Sequence, residues 1–210
     1  MPSELRIQRD LERKHKTREE LIVAASKTFV KRGYHKTLIS DIVSTAQVGQ
    51  GTFYRNFSSK RELFEVIFDR FFENLFGLFN EMSENMPQDL EQYMAASQSA
   101  VSKMAQYFDS NREITLMFLR EANSVDREFE EKMTRIFDRF AFLAQYFLDD
   151  AISKGFARSC RSDVVSHSLV GIGLHMVHKW STDGIGELSP EELSREIVKF
   201  AFQGFGLYNK

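Results

Sequence analysis

Between Thr37 and Leu63, in TLISDIVSTAQVGQGTFYRNFSSKREL, apolar residues recur at helical spacing in two short runs separated by Gln47, Val48 and Gly49. Ile39, Ile42, Val43 and Ala46 share one side of a first helix, Leu38 to about Ala46. Val48 sits in the turn, and Phe53 and Phe57 face inward from a second helix, Gln50 to Asn56. Two short helices joined by so tight a turn make a helix-turn-helix. The pattern leaves Gln50, Thr52, Tyr54, Arg55 and Asn56 on the other faces of the second helix. Amide, hydroxyl and guanidinium groups on an exposed helix suit the major groove, where base edges offer donors and acceptors.

The flanks extend the same logic. Thr17-Arg18-Glu19-Glu20 reads as a capping box opening a bracing helix, with Leu21, Ile22, Ala25, Phe29 and Val30 as its apolar stripe and Gly33 as its stop. Ser59-Lys60-Arg61-Glu62 is a second capping box, opening a much longer helix. Cations in a first helical turn oppose the helix dipole, so Lys60 there makes best sense with an anion opposite, a DNA phosphate. The alternative is a solvated surface lysine.

The chain of 210 residues has a formal net charge of −2, which hides a division. Residues 1–60 hold 12 Lys+Arg against 6 Asp+Glu, a balance of +6, leaving 16 against 24, or −8, for the rest. A basic head attracts phosphates while an acidic body limits indiscriminate adhesion. Residues 2–16, with Arg6, Arg9, Arg13, Lys14 and Lys16, read as a mobile solvated tail or as a basic arm that reaches DNA beside the recognition helix.

Beyond Leu63 no alternating strand pattern occurs, and helices are predicted over 63–86, 90–108, 113–122, 126–154, 162–181 and 190–207. The expected fold is all-α, divided as a tail (1–16), a three-helix head (17–62) and a larger helical body (63–210). The helix opening at Ser59 begins in the head and ends in the body, a natural mechanical link. No apolar run reaches the roughly 18 residues needed to span a bilayer, and the N-terminus lacks the apolar core of a secretory signal, so the expected location is the cytosol. Cys160 is alone, which excludes an internal disulfide.

The residues Gly33-Tyr34, Thr37, Ile42, Ala46, Val48, Gly51-Thr52-Phe53-Tyr54, Phe57-Ser58-Ser59-Lys60 and Leu63 closely resemble the DNA-binding domain of the TetR family of bacterial transcriptional regulators. The resemblance covers Thr17 to Phe68, about a quarter of the chain. It implies a homodimeric repressor that leaves a palindromic operator in double-stranded DNA when a small, largely apolar inducer enters the body. Gln50, Thr52 and Arg55 then contact base edges, and Thr37, Tyr54 and Lys60 contact phosphate. Three departures stand out: Gln47 where relatives commonly have Gly, Gly49 where they have Ser, and Leu38 where they have a second Thr.

For the inducer pocket the expected apolar lining is Phe72, Phe76, Met104, Phe108, Met117, Phe118, Phe140 and Tyr146, with Arg120, Asn123, Gln145 and His175 as polar anchors. For the dimer interface it is Val170, Gly171, Leu174, Val177, Ile197, Phe200, Ala201 and Phe205, on two helices that meet their copies across a two-fold axis. His167, His175 and His178 share an arc of the 162–181 helix, yet only the last two are neighbours, and neither a metal nor a cofactor is expected. No catalytic constellation or phosphate loop appears, so an enzyme is not expected. The competing reading is an architectural DNA-binding protein whose body docks another protein.

Overall fold

A computed structural model describes residues 2–79, 86–121, 125–182 and 188–205, without the side chains of residues 2–4, 181, 204 and 205. Among the described residues the chain forms nine helices: α1 (Pro2–Arg32), α2 (Ile39–Thr45), α3 (Gln50–Asn56), α4 (Lys60–Gly77), α5 (Leu90–Ser110), α6 (Arg112–Glu121), α7 (Arg127–Ser153), α8 (Ser162–Thr182) and α9 (Pro190–Phe205). None of these helices is long and apolar enough to cross a membrane. The chain divides into two compact units, Met1–Phe71 and Phe72–Lys210. The division falls inside α4, beyond the 62/63 boundary expected from sequence.

In the first unit, α1 begins well before Thr17, so the capping box there does not open a helix. The reason is local: residues 4–16 are mostly Glu, Leu, Arg, Gln and Lys, good helix formers, with Asp10 and Lys14, and Glu12 and Lys16, at i,i+4 spacing. Pro2 suits a first helical turn. Residues 5–16 are exposed along this extension, which makes them a helical arm instead of a loose tail. Gly33 stops α1 at φ +80°, its amide donating to the Phe29 carbonyl at 2.7 Å.

The core of this unit is Leu21, Ala25, Phe29, Ile42, Phe53, Phe57, Leu63, Phe64 and Phe68, all essentially inaccessible. Phe29 meets Phe64 edge to face at 5.3 Å, locking α1 to α4. A bidentate pair, Arg70 on Glu19, joins the same helices at the surface.

In the second unit α7 packs along α8 and α5 along α9, while α6 lies against α5 and α8. Helix starts follow from single side chains. Asp89 accepts from the Gln92 amide and Asp126 from the Phe129 amide, each at 2.8 Å. At α9 the box is reciprocal: Ser189 Oγ accepts from the Glu192 amide and the Glu192 carboxylate accepts from the Ser189 amide. That bonding holds the Glu192 carboxyl below its ordinary pKa. Gly155, at φ +77°, ends the α7 segment.

Candidate DNA-reading surface and apolar cavity

The helix-turn-helix takes its shape from a few backbone decisions. Leu38 caps α2 without a side-chain acceptor of its own; the Asp41 carboxylate accepts from the Leu38 amide at 3.0 Å and also takes Arg32 at 3.0 Å. The turn is made by Gln47, which adopts φ +56°, a conformation that costs a residue with a Cβ roughly 1–2 kcal/mol. Val48 closes it by donating to the Val43 carbonyl at 3.0 Å. Gly49 is the N-cap of α3, and Thr52 N donates to its carbonyl at 2.8 Å.

With Phe53 turned fully inward, α3 presents Gln50, Gly51, Tyr54 and Arg55 to solvent, with Thr52 partly exposed. Arg55 Nη2 donates to Thr52 Oγ1 at 2.9 Å, which pre-orients the guanidinium along the exposed face. The far end of α3 is held from α1. Arg18 Nη1 donates to the Asn56 carbonyl at 2.6 Å, and its guanidinium lies 4.1 Å above the centre of the Phe57 ring. Arg18 is a positioning residue that sequence reading missed; the only signal was a cation just before the bracing helix's apolar stripe.

Two residues expected at phosphate have partners within the head. Thr37 is fully buried, its hydroxyl donating to the Gly33 carbonyl at 2.7 Å. Lys60 Nζ donates to the carbonyls of Tyr34 at 2.7 Å and Thr37 at 2.8 Å, and stands 4.3 Å from the centre of the Tyr34 ring. The carbonyls of the α1–α2 connection lack helical partners, and a cation from the start of α4 satisfies them. The capping box at Ser59 forms as expected, Glu62 N donating to Ser59 Oγ at 3.1 Å. The Glu62 carboxylate accepts instead from the amide and hydroxyl of Ser58, which keeps its pKa below the ordinary value.

The second unit contains an apolar cavity of about 290 Å³ between the α7–α8 and α5–α9 pairs. Of the expected lining, Met104, Phe108 and Phe140 face it. The others do not. Phe72, Phe76, Met117 and Phe118 are buried in solid packing, with Phe72 against Phe118 at 6.2 Å and Phe76 against Phe140 at 4.4 Å between ring centres. Arg120, Tyr146 and His175 point to solvent, and Gln145 reaches Ser162 Oγ at 3.5 Å. Asn123 lies outside the described residues.

The residues expected to meet a second copy supply much of the cavity wall: Val170, Leu174, Val177, Ile197, Phe200 and Ala201. Gly171 is exposed, and the side chain of Phe205 is outside the described set. One side of α8 closes the cavity, a use of its apolar residues that periodicity does not distinguish from an interface. Sequence reading missed Leu90, Tyr93, Val101, Leu143, Phe147 and Trp180, which also line it. Among the described residues no group of His, Cys, Asp and Glu is placed to hold a metal ion. His167 Nδ1 donates to the Asp163 carbonyl, 2.8 Å away, within its own helix.

Comparison with known proteins agrees with this layout. Residues 21–67 match the family model for bacterial regulatory proteins of the tetR family, and residues 98–205 match the tetracyclin repressor-like C-terminal domain. The transcriptional activator FasR of Mycolicibacterium smegmatis is 41% identical over 58 residues, which cover 28% of this chain and 26% of FasR. The repressor KstR2 of the same species is 29% identical over 93 residues, 42% of this chain and 45% of KstR2. The chain thus spans about a quarter to a half of these two relatives. The regulator YdgC of Bacillus subtilis is 24% identical over 192 residues, covering 90% of this chain and 92% of its own. Among solved structures, the SmeT–triclosan complex superposes with a TM-score of 0.76 at 17% identity, over 92% of this chain and 93% of that one. An N-terminal head with a polar recognition helix, followed by a helical body that matches the C-terminal model over half the chain, leads to one assignment: the chain belongs to the TetR family of bacterial transcriptional regulators and is not an enzyme.

Proposed function

We propose that this regulator is a cytoplasmic homodimeric repressor, released from a palindromic operator by a small apolar ligand that occupies the α5/α7/α8/α9 cavity. Gln50, Thr52 and Arg55 read base edges, Tyr54 donates to phosphate, and the cationic side of the α1 arm adds phosphate contacts. A pair of heads then reads half-sites about 34–36 Å apart or a multiple of that. The exposed apolar residues Val164, Ile172 and Phe200 support pairing through α8 and α9.

One observation carries the ligand-responsive part. Phe140 lines the cavity and also packs on Phe76 of α4, the helix that starts at Lys60 in the reading unit. A ligand that moves Phe140 therefore acts on α4, and linkage makes DNA lower ligand affinity by the same factor that ligand lowers DNA affinity. Selection of bound fragments from the source genome, followed by footprinting and solution scattering, tests the reading. An inverted repeat protected by a two-fold pair is the expected result. A single-copy protein with no protected inverted site ends the proposal.

A further inference from the structure

We propose that the cavity is selective for an uncharged, hydrocarbon-rich molecule and discriminates against the same molecule bearing a carboxylate. This rests on the ligand-responsive reading and adds the chemical class of the ligand.

Among the described residues that line the cavity, Tyr93 alone has an ionisable side chain. Its hydroxyl is already spent, donating to the Asp150 carboxylate. Asp150 in turn pairs with Lys154 at 2.9 Å, and Lys154 donates to the Pro87 carbonyl at 2.8 Å. Among the described residues, the ion pair behind Tyr93 is therefore closed on itself and offers no cation to a guest.

The rim has the same character. In a single chain the lining residues that stand exposed are Leu90, Ile172 and Phe200, so a head group at the rim meets hydrocarbon, from this chain or from a copy paired on it through the same apolar residues. Arg120 and His175, expected as polar anchors, lie outside the lining, as does Arg112, which reaches the Trp180 carbonyl at 3.5 Å. An anion entering such a site loses hydration and meets no cation among the described lining residues, whereas a neutral chain gains by burying its surface. The hydrogen-bonding capacity left in the wall is the Ser97 hydroxyl and the Trp180 indole N–H, which suits one or two neutral oxygens, as in an alcohol, ester or ketone.

Trp180 is the sole tryptophan and lines the cavity, so its emission reports occupancy. Full-length protein is titrated with methyl decanoate and with sodium decanoate below their aggregation limits at about pH 8, where a carboxylic acid is ionised. The ester is expected to bind about tenfold tighter than the acid or better. Ala100→Phe, which fills the cavity, abolishes the response; Ala144→Leu, a smaller insertion, weakens it and serves if the first variant melts early. Decanoate binding as tightly as the ester overturns the proposal. So does a response that survives both substitutions, or failure of the ester to bind.

The two readings fail separately. If the ester binds selectively but does not release a genome-selected DNA fragment, the ligand-responsive function falls and the ligand class stands. If decanoate binds more tightly and releases that fragment, the class falls and the function stands.

Discussion

The Lys60 ammonium donates to the Tyr34 carbonyl at 2.7 Å and sits 4.3 Å from the centre of the ring of that same tyrosine. With a second donation to the Thr37 carbonyl, Lys60 ties the start of α4 to the connection between α1 and α2. Lys60→Ala should destabilise the head by about 1.5–3 kcal/mol, the range for hydrogen bonds to a charged group. It should leave the salt dependence of DNA binding nearly unchanged. A phosphate contact would do the reverse, reducing the slope by about one while sparing the melting temperature. Thermal melts and binding isotherms over a salt series separate the two roles.

Gln47 occupies a left-handed conformation at the turn, a region that favours glycine. Gln47→Gly should raise stability by about 1 kcal/mol by relieving the Cβ clash, offset in part by the greater freedom of glycine in the unfolded chain. Denaturant unfolding measures it. A loss of stability would mean that the Gln47 side chain makes contacts worth more than the strain.

Gly51 lies on the exposed face of α3 with open space where a Cβ would stand, so packing within the head does not require glycine there. Gly51→Ala should therefore stabilise the free protein by roughly 0.5–1 kcal/mol through helix propensity. If the helix lies against bases, the added methyl should weaken operator binding about tenfold. Equal or tighter binding would place that face away from the duplex.

The Arg70 guanidinium lowers the pKa of Glu19, and the Ser58 amide and hydroxyl lower that of Glu62, both below the ordinary 4.5. Stabilisation by these carboxylates is complete above the unfolded value and is lost as pH falls through the lower folded one. Melting temperature should drop below about pH 4.5, and Glu19→Gln with Glu62→Gln should flatten that part of the profile. Both groups are near the surface, where water and salt screen them, so the effect is small. An unchanged profile in the double variant would assign acid sensitivity elsewhere.

Phe140 separates ligand binding from its consequence. Phe140→Leu keeps an apolar wall but removes the ring that meets Phe76 at 4.4 Å. Ligand should still bind, within about threefold, while its effect on DNA affinity shrinks, a coupling loss of at least roughly 1 kcal/mol. A full response in the variant would route the signal through another helix.

The recognition helix was legible because its information is local. The 3.6-residue spacing of Ile42, Val43, Phe53 and Phe57 marked both helices, and their burial follows from it. The same is true of Gly33, Asp89, Asp126 and Ser189, whose side chains or missing Cβ decide helix ends within four residues. Helix order in the body and the charge division between residues 1–60 and the rest of the chain were equally available to a linear reading.

What only the tertiary structure decided is which of several equivalent partners each side chain takes. A lysine in a first turn can face phosphate or a carbonyl, and Lys60 takes two carbonyls contributed from more than twenty residues away. An apolar helix can face a second copy or a cavity; the inner side of α8 faces the cavity, and Met117 and Phe118, as apolar as any lining residue, are packed solid. Periodicity specifies that a residue leaves water, because that depends on its own chemistry and spacing. It does not specify what the residue meets, because that depends on how distant helices close around the space between them.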